Sequence, residues 1–199
     1  MHKNLICEAS PFFKNAISRD WKEANEGVVT LPDDNVDVVH CYVRWIYFMK
    51  IFTPPPQENV KGDQSVQEFL GDCYAFGDKI QDLDFKDAII DAYISQTLQL
   101  ERLSRGMVKI VYAHSQADSP ARKLFIDLLL WWCRQEPFSD RKRMKSEFPE
   151  DFLLDSLAAL PKVRTNSYAT NPLSDTTCIY HEHKNTGGPC YKKKRGNNL

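Results

Sequence analysis

The sequence predicts a mainly α protein with a small β-sheet, which is an α+β fold, and three observations support this. Most segments carry apolar residues at the three- and four-residue spacing of amphipathic helices. The segment EGVVTLP has the β-branched content of a short strand between Gly27 and Pro32. After Pro161, the stretch KVRTNSYATNPLSDTT has few apolar residues and many turn formers, so we expect a flexible tail there.

The helices are predicted from caps and from apolar spacing. Two short helices should meet at Ser10-Pro11, because serine is a good N-cap and proline suits the first helical position. A longer helix is predicted over residues 36–51, with Asp33 or Asp34 as its N-cap. Its apolar residues lie almost all round, as in a buried helix. Further helices are predicted over residues 66–80, 83–98, 107–114, 120–134 and 151–160.

Charge and hydropathy exclude several classes of protein. The formal net charge is -1, so no general attraction to nucleic acid or to an anionic membrane is expected. The most apolar stretch, LFIDLLLWWC, is interrupted by Asp127 and is about half as long as a membrane span needs to be. The N-terminus carries no secretory signal. We therefore expect an intracellular protein, in the nucleus or the cytoplasm, with no membrane partner and no strong case for nucleic acid.

Nothing in the sequence predicts catalysis. It contains no nucleophile elbow, zinc-protease pattern, P-loop or dinucleotide-binding fingerprint. His40 and Cys41 are adjacent, and neighbours on a helix point about 100° apart, so they do not form a ready base and nucleophile. We expect a protein that is not an enzyme, with no catalytic residue and no cofactor apart from the metal considered next.

The segment CIYHEHKNTGGPC carries the strongest chemical signal. Cys178 and His181 have C-x-x-H spacing, and His181 and His183 fall on one side of the chain if the segment is extended. Residues 186–189 can turn the chain back to Cys190. Two thiolates and two imidazoles make a tetrahedral zinc set. The alternative is a disordered tail in which these residues occur by chance, since their spacing matches no standard zinc finger.

The basic run KKKR at Lys192–Arg195 allows two interpretations. It could be a nuclear localisation signal or a patch that binds nucleic acid. The more common role of such a run is to keep the end of a tail solvated. The near-neutral charge of the rest of the chain argues against a broad basic face.

Three segments in the first half of the chain follow the order of a known family. They are HKNLICEASPFFKNAI, EGVVTLPDDNVDVVHCYVRWIY and EFLGDCYAFGDKIQDLDFKDAIIDAYI. The matching elements are the His-Lys pair at residues 2 and 3, the corner Ser10–Phe13, the acidic residue and strand over 26–32, Trp45–Tyr47 and Ala75–Lys79. In this order and spacing they resemble a BTB/POZ domain of the kind common in fungal proteins.

The resemblance implies a domain organisation and a function. Residues 1–100 would form the BTB/POZ-like domain, residues 101–160 a helical extension and residues 161–199 the flexible tail. The family implies a non-catalytic protein–protein interaction module that self-associates, with protein partners and a homodimer in the full-length form. The residues expected at the dimer surface are Leu5, Ile6, Phe12 and Phe13.

The start of the chain departs from the family pattern. Two strands normally precede the His-Lys pair, and Met1 stands where the last apolar residue of the second strand belongs. We expect Met1 to be an internal methionine of a longer gene product. We also expect this chain to self-associate weakly, because an apolar patch that lacks its cover tends to find another surface.

Two alternative functions are open: a zinc-dependent binding protein that acts through the C-terminal Cys/His tail, and the family's best-known role, as substrate adaptor of a cullin-3 ubiquitin ligase. The resemblance would place the cullin surface on the helix over residues 36–51, the loop after it and the helices over 107–134. Adaptors usually carry an apolar anchor two residues before an acidic one in that loop, whereas this loop has Pro56-Gln57-Glu58. Losing a buried anchor can cost about 2 kcal/mol or more, so we expect weak or no cullin-3 binding.

Overall fold

A computed structural model gives the fold of residues 2–18, 26–54, 62–100, 103–135, 147–163, 171–174 and 178–194. These residues are mainly α-helical. The helices are α1 (Lys3–Ala9), α2 (Pro11–Ser18), α3 (Val36–Phe48), α4 (Gly62–Lys79), α5 (Leu83–Leu100), α6 (Arg105–Ala113), α7 (Pro120–Gln135), α8 (Glu150–Val163), α9 (His183–Thr186) and α10 (Tyr191–Lys194). A 3₁₀ turn, Pro172–Ser174, lies between α8 and α9.

The predicted small β-sheet is wrong for the part of the chain that the structure describes, which contains no strand. Residues 28–31 are irregular backbone, and Val28 is 58% exposed. A strand needs a neighbour to receive its backbone hydrogen bonds. Among the described residues, no other segment pairs with this one, so its β-branched content alone does not make a strand.

The predicted corner at the start of the chain is confirmed. α1 ends before Ser10 and α2 begins at Pro11. The Ser10 hydroxyl accepts a hydrogen bond from the Phe13 backbone N–H at 3.2 Å and donates one to the Ile80 carbonyl at 2.5 Å. Ser10 is fully buried, so the same hydroxyl caps α2 and joins it to the end of α4.

The predicted cap of α3 is wrong by one or two positions. Asn35, and not Asp33 or Asp34, is the N-cap, because its side-chain oxygen accepts from the Asp37 backbone N–H at 2.9 Å. The helix ends at Phe48, where Met49 adopts a left-handed conformation with φ of 53°. The expected burial holds for one face of α3, with buried residues Val38, Cys41, Tyr42, Trp45 and Ile46.

The hydrophobic core lies between the long helices. α4 and α5 pack along each other at its centre, and α3, α6 and α7 surround them. A continuous cluster of buried side chains joins the predicted regions 1–100 and 101–160 and reaches Leu173 and Tyr180. None of the helices in the described ranges is both long enough and apolar enough to cross a membrane.

Of the predicted flexible tail after Pro161, the structure describes residues 171–174 and 178–194, and some of their side chains are buried. Leu173 and Tyr180 are 5% and 2% exposed, and the Tyr180 hydroxyl donates a hydrogen bond to Asp127 at 3.1 Å. Among the described residues after Pro161, Ile179 and Tyr191 are partly buried and pack against the core. Residues 178–194, which we call the C-terminal segment, therefore lie on the helical body beside α5.

Candidate metal centre

Four side chains of the C-terminal segment converge on one point. One ligand atom of each of Cys178, His181, His183 and Cys190 lies within 4.8 Å of the others. A turn brings the first two together, because the His181 backbone N–H donates to the Cys178 carbonyl at 3.2 Å. Short helix α9 then ends at Gly187, whose φ of 72° turns the chain back toward Cys190. The structure thus assembles all four side chains that the sequence nominates as zinc ligands.

The separations suit a tetrahedral metal ion. The Sγ atoms of Cys178 and Cys190 are 3.5 Å apart, and Cys190 Sγ is 3.8 Å from His181 Nδ1. With Zn–S bonds of about 2.3 Å and Zn–N bonds of about 2.0 Å, the edges of a tetrahedron are about 3.8 Å between two sulfurs and about 3.5 Å between sulfur and nitrogen. The two sulfurs are too far apart for a disulfide, whose bond is about 2.05 Å.

Two aspartates of α5 orient the histidines. Asp91 Oδ1 lies 3.0 Å from His181 Nε2, and Asp87 Oδ2 lies 2.9 Å from His183 Nδ1. A carboxylate accepts hydrogen bonds, so each of these ring nitrogens is the donor, and in a neutral imidazole the opposite nitrogen then has the free lone pair. Metal-binding histidines usually donate to a carboxylate in this way, which fixes the tautomer and the ring orientation. His181 would bind through Nδ1 and His183 through Nε2.

The two carboxyl groups have different electrostatic surroundings. Burial raises the pKa of Asp87, and the hydrogen bond from His183 opposes this increase. Burial also acts to raise the pKa of Asp91, but hydrogen bonds from His181, Lys192 and Tyr191 outweigh it, so this pKa lies below its ordinary value. Asp91 is therefore ionised and able to hold the proton of His181 Nε2 in place.

Further contacts hold the C-terminal segment on α5. The Glu182 backbone N–H donates to Asp87 at 2.6 Å, and the Glu182 carboxylate accepts from the Ser119 hydroxyl at 2.5 Å. Lys192 forms an ion pair with Asp91 at 2.8 Å. Because His181 is 1% exposed and Cys190 is 5% exposed, the centre is largely shielded from water.

The donor set fits zinc. Thiolate sulfur and imidazole nitrogen are the ligands that Zn²⁺ prefers, and two of each fill a tetrahedral site. Four protein ligands leave no coordination position for water or a substrate, which is the pattern of structural zinc sites. Bound there, Zn²⁺ would supply a charge that holds both thiolates and both imidazoles together.

The other residues nominated from the sequence lie elsewhere. Ile6 and Phe13 are buried in this chain's own core, whereas Leu5 and Phe12 are partly exposed. Glu58 lies outside the described residues. In the basic run, Lys194 pairs with Asp84 at 2.7 Å, and Arg195 lies outside the described residues.

Sequence reasoning missed Asp87 and Asp91, which are hydrogen-bonded to two of the candidate ligands. They lie in the segment LDFKDAIIDAY, where aspartates at positions 84, 87 and 91 follow helical spacing on one face of α5. Asp87 is fully buried. The signal that could have found them is this acidic stripe on a helix whose other residues are mostly apolar. A buried carboxylate needs a hydrogen-bond donor, and here the donor must come from another segment of the chain.

Comparison of the chain with protein-family models, curated proteins and solved structures gives no match. The BTB/POZ resemblance stays a prediction, and the interpretation of the metal centre depends on its geometry.

Proposed function

We propose that this protein is a non-catalytic binding protein in which Zn²⁺ folds the C-terminal segment, and hydrogen bonds from the two histidine ligands to α5 hold that segment on the helical body. The observation that carries the proposal is the convergence of Cys178, His181, His183 and Cys190 within 4.8 Å. The aspartate bonded to each histidine supports it independently, because those carboxylates belong to α5 and not to the segment.

The metal would contribute stability where the apolar core is thin. The C-terminal segment buries few large side chains, Tyr180 among them. A ligand that binds the folded state alone stabilises it, and zinc can supply the folding free energy of a small unit outright. Zinc would therefore fix helix α9 and the start of α10 relative to Cys178, and so place His181 and His183 opposite Asp91 and Asp87.

Metal analysis tests the proposal directly. Full-length protein purified without a His-tag should contain about one zinc per chain. The double variant Cys178→Ser, Cys190→Ser should lose it, because serine hydroxyls are poor zinc ligands. Cys7→Ser is the matched control, since Cys7 lies on α1 outside the four-ligand set and its loss should leave the zinc content unchanged. Substoichiometric zinc in the wild type that the double variant does not lower would refute the site.

A second candidate function is the protein–protein interaction module, and an exposed stripe on α8 favours it. Leu154, Leu157 and Leu160 are 55%, 61% and 46% exposed and recur every three residues along one face. Stable interfaces bury about 1,200–2,000 Å², far more than three leucines expose. The occupant that we propose is a second copy of this chain, bound weakly.

Light scattering over a range of concentrations tests the weak self-association. Leu157→Glu should abolish it, because a carboxylate at the centre of an apolar contact is costly to bury. Ala158→Glu adds the same charge to the same helix at an exposed position about 100° away, and it should leave the association intact. A wild-type chain that stays monomeric at high concentration, or equal behaviour of the two variants, would contradict this role.

A further inference from the structure

We propose that the metal centre is a redox switch, in which hydrogen peroxide converts Cys178 and Cys190 to a disulfide and Zn²⁺ is released. The inference rests on the proposed zinc site and names the regulation of that site.

The two sulfurs are already placed for the reaction. Their separation of 3.5 Å exceeds a disulfide bond by only about 1.5 Å. Cys178 is partly exposed, so a small oxidant can reach its sulfur, whereas Cys190 is buried beside it. An accessible cysteine with a second cysteine next to it is the arrangement of redox sensors.

Other cysteines of the chain provide internal comparisons. Cys41 on α3 and Cys73 on α4 are hydrogen-bonded to each other, but they are 2% and 0% exposed. A peroxide molecule cannot reach their sulfurs while the helices stay packed. Cys7 on α1 is partly exposed and reports how far an accessible thiol is oxidised. Cys178 combines partial exposure with a neighbouring sulfur, that of the buried Cys190.

The reaction balances with peroxide as the oxidant. The Cys178 thiolate attacks one oxygen, an S–O bond forms, the O–O bond breaks and hydroxide leaves. The Cys190 thiolate then attacks the sulfenic sulfur, the S–S bond forms, the S–O bond breaks and a second hydroxide leaves. Two thiolates lose two electrons, the peroxide gains them, and two protons convert the hydroxides to water.

Disulfide formation would remove two of the four metal ligands, since the thiolate is the form that binds zinc. His181 and His183 would keep their hydrogen bonds to Asp91 and Asp87. The segment would therefore stay close to α5 without its metal, and a reductant together with Zn²⁺ would restore the centre.

The test treats zinc-loaded full-length protein with hydrogen peroxide. A chromophoric chelator records the zinc released, and peptide mass spectrometry after alkylation identifies the disulfides. Zinc should fall from about one per chain to about a tenth of that or less as the Cys178–Cys190 disulfide forms. Cys41 and Cys73 should remain free thiols. Cys7→Ser leaves the four ligands in place, so this variant should release zinc under peroxide to the same extent as the wild type.

Zinc that stays bound while Cys7 is oxidised would overturn the inference. Zinc that leaves without a Cys178–Cys190 disulfide would also overturn it, and both results would leave the zinc site itself standing. Wild-type protein that contains no zinc before treatment would instead refute the proposed function, and the switch with it.

Discussion

Replacing Asp87 by asparagine should weaken zinc binding by about 10- to 100-fold. The Asp87 carboxylate accepts from the Glu182 backbone N–H at 2.6 Å and from His183 Nδ1 at 2.9 Å. Asparagine offers one acceptor oxygen and one NH₂ group, so it can satisfy one of these donors and opposes the other. If its NH₂ faces His183, the tautomer with the proton on Nε2 is favoured, and Nε2 is the atom that would bind the metal.

The expected magnitude follows from the bond that is lost. A hydrogen bond to a charged group contributes about 1.5–3 kcal/mol, which corresponds to roughly 10- to 150-fold in an equilibrium constant. The upper end requires a fully buried pair, and Asp87 is fully buried. Competition titration of the metal-free chain against a chromophoric chelator, under reducing conditions, measures the zinc affinity of each variant, and circular dichroism confirms that each variant is folded.

Asp84→Asn is the matched control. It removes the same charge from the same helix one turn earlier, but the Asp84 carboxylate pairs with Lys194 and bonds to none of the four ligands. Because exposed ion pairs contribute little, its zinc affinity should stay within about twofold of the wild type. The reasoning about the tautomer is refuted if Asp87→Asn also stays within about twofold, or if both variants lose affinity equally.

Two further predictions concern the turn and the core. Gly187→Ala should lower zinc affinity about fivefold, because alanine at a φ of 72° costs about 1 kcal/mol. Gly188 has no positive φ, so Gly188→Ala should leave the affinity unchanged. Equal zinc affinities of the two variants in chelator titrations would contradict this. Burial raises the pKa of Asp82 to about 6, so the folded state keeps a proton that the unfolded chain releases, and stability falls as the pH rises from about 4 to 6. The free energy of unfolding of Asp82→Asn, relative to that of the wild type, should therefore rise by about 2 kcal/mol between about pH 4 and pH 7 in urea unfolding. Zinc affects both proteins alike. Parallel pH profiles of the two proteins would rule this out.

Local chemistry explains which parts of the fold were predictable. The corner at Ser10-Pro11 is confirmed because one hydroxyl and one fixed proline φ act within a few residues. The sheet prediction is wrong because strand formation depends on a pairing partner, and the β-branched residues over 28–31 have none among the described segments. The prediction missed Asn35 as the cap of α3 because several neighbouring polar residues could serve equally well from sequence alone.

The sequence by itself determined the helical segments and nominated the four candidate zinc ligands, since Cys178, His181, His183 and Cys190 lie within one short stretch whose turns are local. Only the tertiary structure decided that this stretch is buried on α5 and that Asp87 and Asp91 receive the histidine protons. Those hydrogen bonds join residues 96 and 90 positions apart, and no spacing rule extends over such distances. The physical reason is that a metal ligand set can be encoded in one loop, whereas the carboxylates that orient it reach the loop through the packing of the whole helical body.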